Sequence, residues 1–499
     1  MKLLKAFSQD EDGTILILFA ASLVVFIGFT AVIFDMGRVS TTQSELQAFA
    51  DNVALAAAGE LDGSPDAITN AQNAAANFVT DRQSFGNGSN TLGSGDYTLS
   101  FLNALPANDN ADPSPNLTTD PAEAFFAWVV VTPKDVSMNF VSALRTLTNT
   151  GSGPAVANVG AEAIAGFTVE ACDITPLMFC LPSPSYTAAG NIGDLIKLRS
   201  GGNGSAWGPG DFGFLDPKKA DLGSTCAGLS GSNLIGCLVG AELNVTKCFT
   251  QRGVDTEPGQ KVGIEDAIFN VRFDIYKSTM NGEKNDPDYP AAPNVIKGIV
   301  PNGGGQCIGQ NEQISPDTLP LPRDNCFATN SCANNRVGDG NWSNGLAPYM
   351  AANHNLTVTN QTELEAALDF SGVPNNLKTT RYGMYVAEVA SAAGGQITAP
   401  GRAETGLAQC NTNPSQTGVR RRVVIAAGID CTANPINGAE VGVPVEEFFE
   451  MFLTEPVGDD GASPPTLDLW VEVIGSAGGD GYGSAGTGGI FRDVVQLYR

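Results

Sequence analysis

Histidine is all but missing from this sequence: among 499 residues only His354 is present. Any Ser/His/Asp or Cys/His arrangement would have to use that one imidazole, and it sits in Ala-Ala-Asn-His-Asn-Leu with no Gly-x-Ser-x-Gly elbow in support. Zinc-site spacing is absent too, because no paired Cys-x-x-Cys set occurs. Basic charge is scarce. Lys and Arg total 27 against 53 Asp and Glu, a net charge of −26, which leaves no basic patch to neutralise phosphates and excludes a nucleic-acid partner. Neither a Gly-x-x-x-x-Gly-Lys-[Ser/Thr] loop nor a dinucleotide fingerprint is present. The expectation is therefore no enzyme, with no catalytic residue, metal or cofactor. Paired carboxylates such as Asp286 with Asp288 and Asp459 with Asp460 read as solvated turns ahead of calcium ligands.

Charge of either sign is missing from Thr14 to Phe34, a run closed by Asp35 and Arg38. At ~1.5 Å per residue this helix is about 31 Å long, matching the ~30 Å hydrocarbon core of a bilayer. It is longer than the apolar stretch of a cleavable signal and no small-residue cleavage site follows it, so a transmembrane anchor is the favoured reading. Lys2 and Lys5 precede the run, and Arg38 is the lone basic residue soon after it, which points to a cytoplasmic N-terminus. Cysteine is absent from the first 171 residues. All ten cysteines lie beyond the run, in Gly-, Asn- and Pro-rich sequence, and imply up to five disulfides in an oxidising compartment. Near-neighbour pairings are Cys172 with Cys180, Cys237 with Cys248, Cys326 with Cys332 and Cys410 with Cys431, although sequence leaves the connectivity open.

After the run, Leu46, Phe49, Ala50, Val53 and Ala57 recur at helical spacing, so the membrane helix is expected to continue into water as an amphipathic stem ending near Gly63. Ser64 and Pro65 suit the cap and first position of a second helix running to about Arg82. The period then changes. Tyr97 to Leu102, Ala124 to Thr132 closed by Pro133, a weaker run Val136 to Leu144, and the alternating Val159 to Val169 read as strands. Residues 171 to 420 look like an irregular insertion with two ordered segments, Ile264 to Tyr276 and Thr362 to Phe370. Strands return at Arg422 to Ile429, Val445 to Thr454, Leu467 to Val473 and Ile490 to Tyr498, read as completing the first sheet around that insertion. Gly475 to Gly489 is a low-complexity loop.

The expected fold class is α+β, with a single N-terminal transmembrane helix continuing into an amphipathic stem. The stem packs on an antiparallel sheet that carries a large, loop-rich, disulfide-containing insertion. Its divisions are a cytoplasmic tail at 1–13, the membrane helix at 14–34, stem helices and first sheet at 35–170, the Cys-rich insertion at 171–420 and closing strands at 421–499.

A short tail, an apolar span and then FDMGRVSTTQSELQAFADNVALAAAGELDG, with Asp35-x-Gly37-Arg38 at the membrane edge, resembles the N-terminal region of TadG-like proteins of the bacterial Flp (Tad) pilus-assembly machinery over residues 7 to 62. Farther on, CDITPLMFC, WGPGDFGFLD, VRFDIY, VPVEEFFEMFLTEP and WVEV are similar to periplasmic portions of TadG-related proteins of α-proteobacteria. The resemblance implies a single-pass protein of the bacterial inner membrane with a periplasmic body, a structural component supporting pilus biogenesis and adhesion. Its partners would be other pilus-assembly proteins and the lipid bilayer around residues 14–34, with Ala20, Ala21, Ser22 and Gly28 available for homo-oligomeric helix association. Two departures stand out. The nearest match to the metal loop of a von Willebrand A domain, Asp135-Val-Ser137-Met-Asn139, ends in Asn. A prepilin-type Glu is missing from the fifth position after Gly13, which is Leu18, so no prepilin cleavage is expected. The alternative function is an envelope adhesion module binding a protein or glycan, with or without calcium.

Overall fold

A computed structural model describes residues 13–61, 64–106, 108, 111–121, 123–147, 151, 154–172, 174–200, 207–216, 225–242, 248–250, 253–257, 262–300, 313–459, 467–477 and 491–498. The tail at 1–12, Asp460 and most of the Gly475 to Gly489 loop lie outside these residues. The chain divides into two compact units, Met1–Thr168 with Asp493–Arg499, and Val169–Arg492.

The first unit is organised by one unbroken helix, α1, Gly13–Ala58, 46 residues long and so about 69 Å from end to end. No proline interrupts it, and its stem is rich in alanine, the strongest helix former. Its first half is apolar enough to cross a membrane and exposes nearly all of its large side chains, from Leu16 to Phe34. Its second half buries Leu46, Phe49, Ala50, Val53, Ala54 and Ala57 completely. A second helix, α2, Ala67–Phe78, starts two residues later than Ser64 and Pro65 suggest, with Asp66 at the cap position. Ala67, Ala71, Ala74 and Ala75 recur on its buried face, and these small side chains let it lie close against α1.

Against α1 lies an antiparallel sheet of β1 (Tyr97–Leu102), β2 (Leu117–Thr118), β3 (Phe126–Ser137) and β4 (Val156–Cys172), in the order β2-β1-β3-β4, with Cys248–Thr250 and Phe491–Leu497 also paired to β4. Two expectations need correction here. Pro133 does not close its strand; it sits in a register shift between Val131 and Lys134, after which the strand runs on to Ser137. The shift changes the phase of the pleat, so Ala127, Val129 and Val131 are buried before it and Val136 after it. The run Val136 to Leu144 is not a strand of its own. Val136 and Ser137 end β3, and Asn139–Leu147 forms a third helix, α3.

The second unit is built on a ring of short strands. These are β5 (Leu177–Cys180), β6 (Leu195–Ser200), β7 (Asp211–Phe214), β8 (Val423–Ile429), β9 (Glu447–Leu453) and β10 (Leu467–Ser476). They pair in the order β9-β8-β5-β7-β6-β10, and β10 pairs back to β9, closing a mixed barrel with parallel contacts at β8–β5 and β6–β7. Alternate residues of every strand, among them Phe179, Ile196, Phe212, Val424, Met451 and Val471, share one buried cluster with helices α4 (Gly231–Gly240) and α5 (Val262–Asn270). Three more helices, α6 (Ser343–His354), α7 (Gln361–Ala367) and α8 (Arg381–Ala392), make a separate cluster around Tyr349, Tyr385 and Phe452.

This topology corrects the reading of 421–499 as strands completing the first sheet. Among the described residues of 421–499 only Phe491–Leu497 joins that sheet, whereas β8, β9 and β10 pair with β5, β6 and β7 from the supposed insertion. The short strands at 177–214 carry buried apolar side chains, and edges of that kind need partners, which the C-terminal strands supply.

The disulfides follow the same tertiary logic. Cys180 bonds Cys431 across 251 residues, because β5 and β8 run side by side with Cys180 opposite Ile429; the near-neighbour pairings Cys172–Cys180 and Cys410–Cys431 are therefore wrong. Cys237 in α4 bonds Cys226 rather than Cys248. Cys326 bonds Cys332 around a single helical turn, Asn325–Ala328. Cys410 is also disulfide-bonded, and the backbones of Cys172 and Cys248 face each other in an antiparallel pair. Because a longer closed loop restricts the unfolded chain more, replacing Cys180 and Cys431 by Ala is expected to cost about 4 to 5 kcal/mol, and replacing Cys326 and Cys332 about 2 kcal/mol. Urea unfolding of the oxidised variants checks this, and equal losses would reject loop closure as the source of the stabilisation.

Candidate functional site

Asp35 is the last place where an apolar helix is expected to bury a charge, yet its side chain is completely buried. Helical geometry explains which way it faces. Asp35 precedes Leu46 by eleven residues, about three turns at 3.6 residues each, so it lies on the stripe that buries Leu46, Phe49 and Val53 in the stem. Upstream, Ala31 and the half-buried Gly28 continue that stripe into the apolar half.

What Asp35 meets is the first turn of α3. Its Oδ2 accepts the backbone N–H of Val141 at 2.6 Å. A carboxylate from one helix thus caps the start of another, taking an amide that has no partner within its own helix and facing the positive end of the helix dipole. Its Oδ1 lies 3.9 Å from Nη1 of Arg38, one turn along α1, and has no hydrogen-bond partner. Nη1 of Arg38 donates instead to the carbonyl of Ser137, the last residue of β3, at 2.7 Å, and the guanidinium sits over the Phe85 ring at 5.2 Å. Asp35 and Arg38 together fasten α1 to the point where β3 turns into α3. Gly37, the third member of the membrane-edge motif, does not join them: it is exposed, and a Cβ there would meet nothing within 4 Å.

A polar seam extends the attachment down the stem. The Gln43 amide donates to the carbonyl of Gly160 at 2.9 Å and that of Gln47 to Glu162 at 3.0 Å. Four residues along α1, about 6 Å, match two residues of β4, about 6.8 Å. Glu45 accepts both the N–H and the hydroxyl of Ser84. Sequence reading missed Gln43, Glu45, Gln47, Ser84 and the whole of α3. The available signal was the phase of Asp35 on the stem's buried stripe.

Other sequence-selected residues have structural partners. His354 Nε2 is 2.7 Å from Glu388 Oε1, which also accepts the Tyr349 hydroxyl at 2.8 Å, while Glu388 Oε2 accepts the Asn294 amide at 2.7 Å. This buried knot joins α6, α8 and the segment at Asn294, and burial beside Glu388 pushes the Tyr349 hydroxyl well up. Nearby, Arg381 bridges Asp324 and Glu472; burial pushes the Glu472 carboxyl up against the pull of that guanidinium. Asp286 accepts the N–H of Asp288, and Asp288 the Thr225 hydroxyl, which makes a turn. Asp135, the start of the loop compared with a metal site, accepts from Asn158, while Ser137 and Asn139 end β3 and begin α3. Among the described residues no group of three or more metal-ligating side chains occurs.

A hydrogen bond to a charged acceptor contributes about 1.5 to 3 kcal/mol. Asp35→Ala is therefore expected to raise amide exchange across residues 139–147 in the full-length protein, and Asp35→Asn, which keeps an acceptor, to raise it less. Unchanged exchange in Asp35→Ala would mean that this bond does not hold α3.

Residues 13–60 match the family model described as putative Flp pilus-assembly TadE/G-like. No curated protein and no solved structure matches the chain. The matched segment is α1 and its immediate end, the element that carries both the apolar half and the Asp35–Arg38 attachment. The chain thus carries a TadE/G-like Flp pilus-assembly segment, and that segment is the helix on which its first unit is built.

Proposed function

We propose that this protein is a membrane-anchored structural component of a Flp (Tad) type pilus or secretion apparatus, held by residues 14–34 in a bacterial inner membrane with its body in the periplasm. The observation that carries the proposal is the continuity of α1: one helix, without a break, is apolar at one end and forms the core of a folded unit at the other. Such a helix fixes the body at a set height above the bilayer. The family match over residues 13–60 supplies the apparatus. Lys2 and Lys5 ahead of the run and disulfides in the second unit support a cytoplasmic tail and an oxidising compartment for the body. Partners in this reading are other pilus-assembly proteins in the same membrane, and self-association is open to the exposed faces of the apolar half.

One observation favours an adhesion role as a second reading. On the barrel, Lys197, Arg199 and Arg323 gather around Trp470 beside Asp468 and Glu455, a cleft of mixed charge suited to a polar ligand. A co-purification experiment separates the two. The full-length protein, extracted from membranes, is expected to bring down pilus-assembly proteins. A chain whose residues 1–34 are replaced by a cleaved secretion signal keeps the stem and is expected to lose them. Absence of pilus-assembly proteins from the full-length preparation, together with retention of a glycan that Arg323→Ala releases, would replace assembly by adhesion.

A further inference from the structure

The helix α3 does not stop at the membrane edge. It begins beside Asp35, where Val141 is capped, and runs antiparallel to α1, so that Phe140 lies against Phe34 with ring centroids 5.7 Å apart and Leu144 reaches Gly28. A Cβ built on Gly28 would be 3.7 Å from Leu144 Cδ2, so the small residue lets α3 settle against the helix. Gly28 is six residues inside the end of the apolar run at Phe34, which places Leu144 about 9 Å below that end. Around this contact α1 stays open on its other sides, with Phe29 65% and Ile33 68% exposed, and Phe140 of α3 is itself 49% exposed beside them.

The chemistry of α3 suits that depth. Its hydroxyls are turned back onto the helix, Ser142 donating to the Met138 carbonyl at 2.7 Å and Thr146 to that of Ser142 at 3.0 Å. The Val141 amide is taken by Asp35, so this part of the first turn presents no bare donor to lipid. Arg145 is the one charged side chain on the helix; it is exposed, and its guanidinium lies against Gly151.

We propose that α3 enters the outer layer of the bilayer that α1 spans, running down beside α1 from the headgroups into the acyl region, with phospholipid acyl chains packed on its Phe140 side. The inference rests on the reading of residues 14–34 as a membrane anchor. It makes the first unit a body with two membrane contacts, one that spans and one that dips into the outer layer beside it, clamped to each other through Asp35.

The test uses the unaltered full-length protein in phosphatidylethanolamine–phosphatidylglycerol vesicles that contain an acyl-chain diazirine lipid, with adducts mapped by mass spectrometry after illumination. Label is expected in 16–34 and in 139–147, the latter about tenfold above the segment containing Leu117, which is exposed at the far end of the sheet. Label in 16–34 with 139–147 no higher than Leu117 would overturn the membrane insertion of α3 and leave the anchor standing. Absence of label from both would overturn the anchor itself, and the inference with it.

Discussion

The structure of the first unit depends on one constraint: a single unbroken helix has to expose apolar side chains over most of its first half and present a protein-facing stripe from Gly28 to Ala57. Gly28, Ala31, Asp35, Thr42, Leu46, Phe49, Val53 and Ala57 are that stripe, spaced by three, four or seven residues. Asp35 is its one charged side chain among these. A buried carboxylate costs several kcal/mol unless it is paired, so the protein supplies an N–H from α3 and sets Arg38 alongside, and in doing so fixes where β3 ends and where α3 begins. Removing the side-chain acceptor from this position would leave the start of α3 without its cap; removing α3 would leave a bare carboxylate inside the protein.

Rigidity follows from the same helix. From Gly13 to Ala58 it contains no proline and no break, and its two interior glycines differ in meaning. Gly28 makes room for Leu144. Gly37 costs roughly 1 kcal/mol relative to alanine, is open to solvent, and nothing in the structure explains it.

The second unit reaches stability by different means. Its barrel closes only when strands from both ends of its sequence meet, and the Cys180–Cys431 bond locks that meeting. Around it, buried arginines satisfy carbonyls as often as carboxylates: Arg422 donates to Leu453, Asn294 and Thr454, and lies against the rings of Phe273, Tyr385 and Phe452. These guanidiniums tie loops to the barrel in a sequence with few regular elements, and His354 with Glu388 does the same between helices. Polar residues that looked like candidate chemistry in the sequence are, in their contacts, mostly joints.

By itself the sequence determined the elements whose signal is local. The charge-free run, the stem periodicity of Leu46 to Ala57, the alternation of Tyr97 to Phe101 and of Val159 to Val169, and the membrane-edge motif are all written in neighbouring residues, because side-chain period and span length are properties of one segment. Tertiary structure alone decided what pairs across distance. Strand partners and disulfide partners depend on which edges meet after folding, so β8 to β10 joined β5 to β7 rather than the first sheet, and Cys180 passed over Cys172 for Cys431. The role of Asp35 was decided in the same way: its phase on the helix is local, but its partner, the amide of Val141, is 106 residues away and is brought to it only by the packing of β3 and α3 on α1.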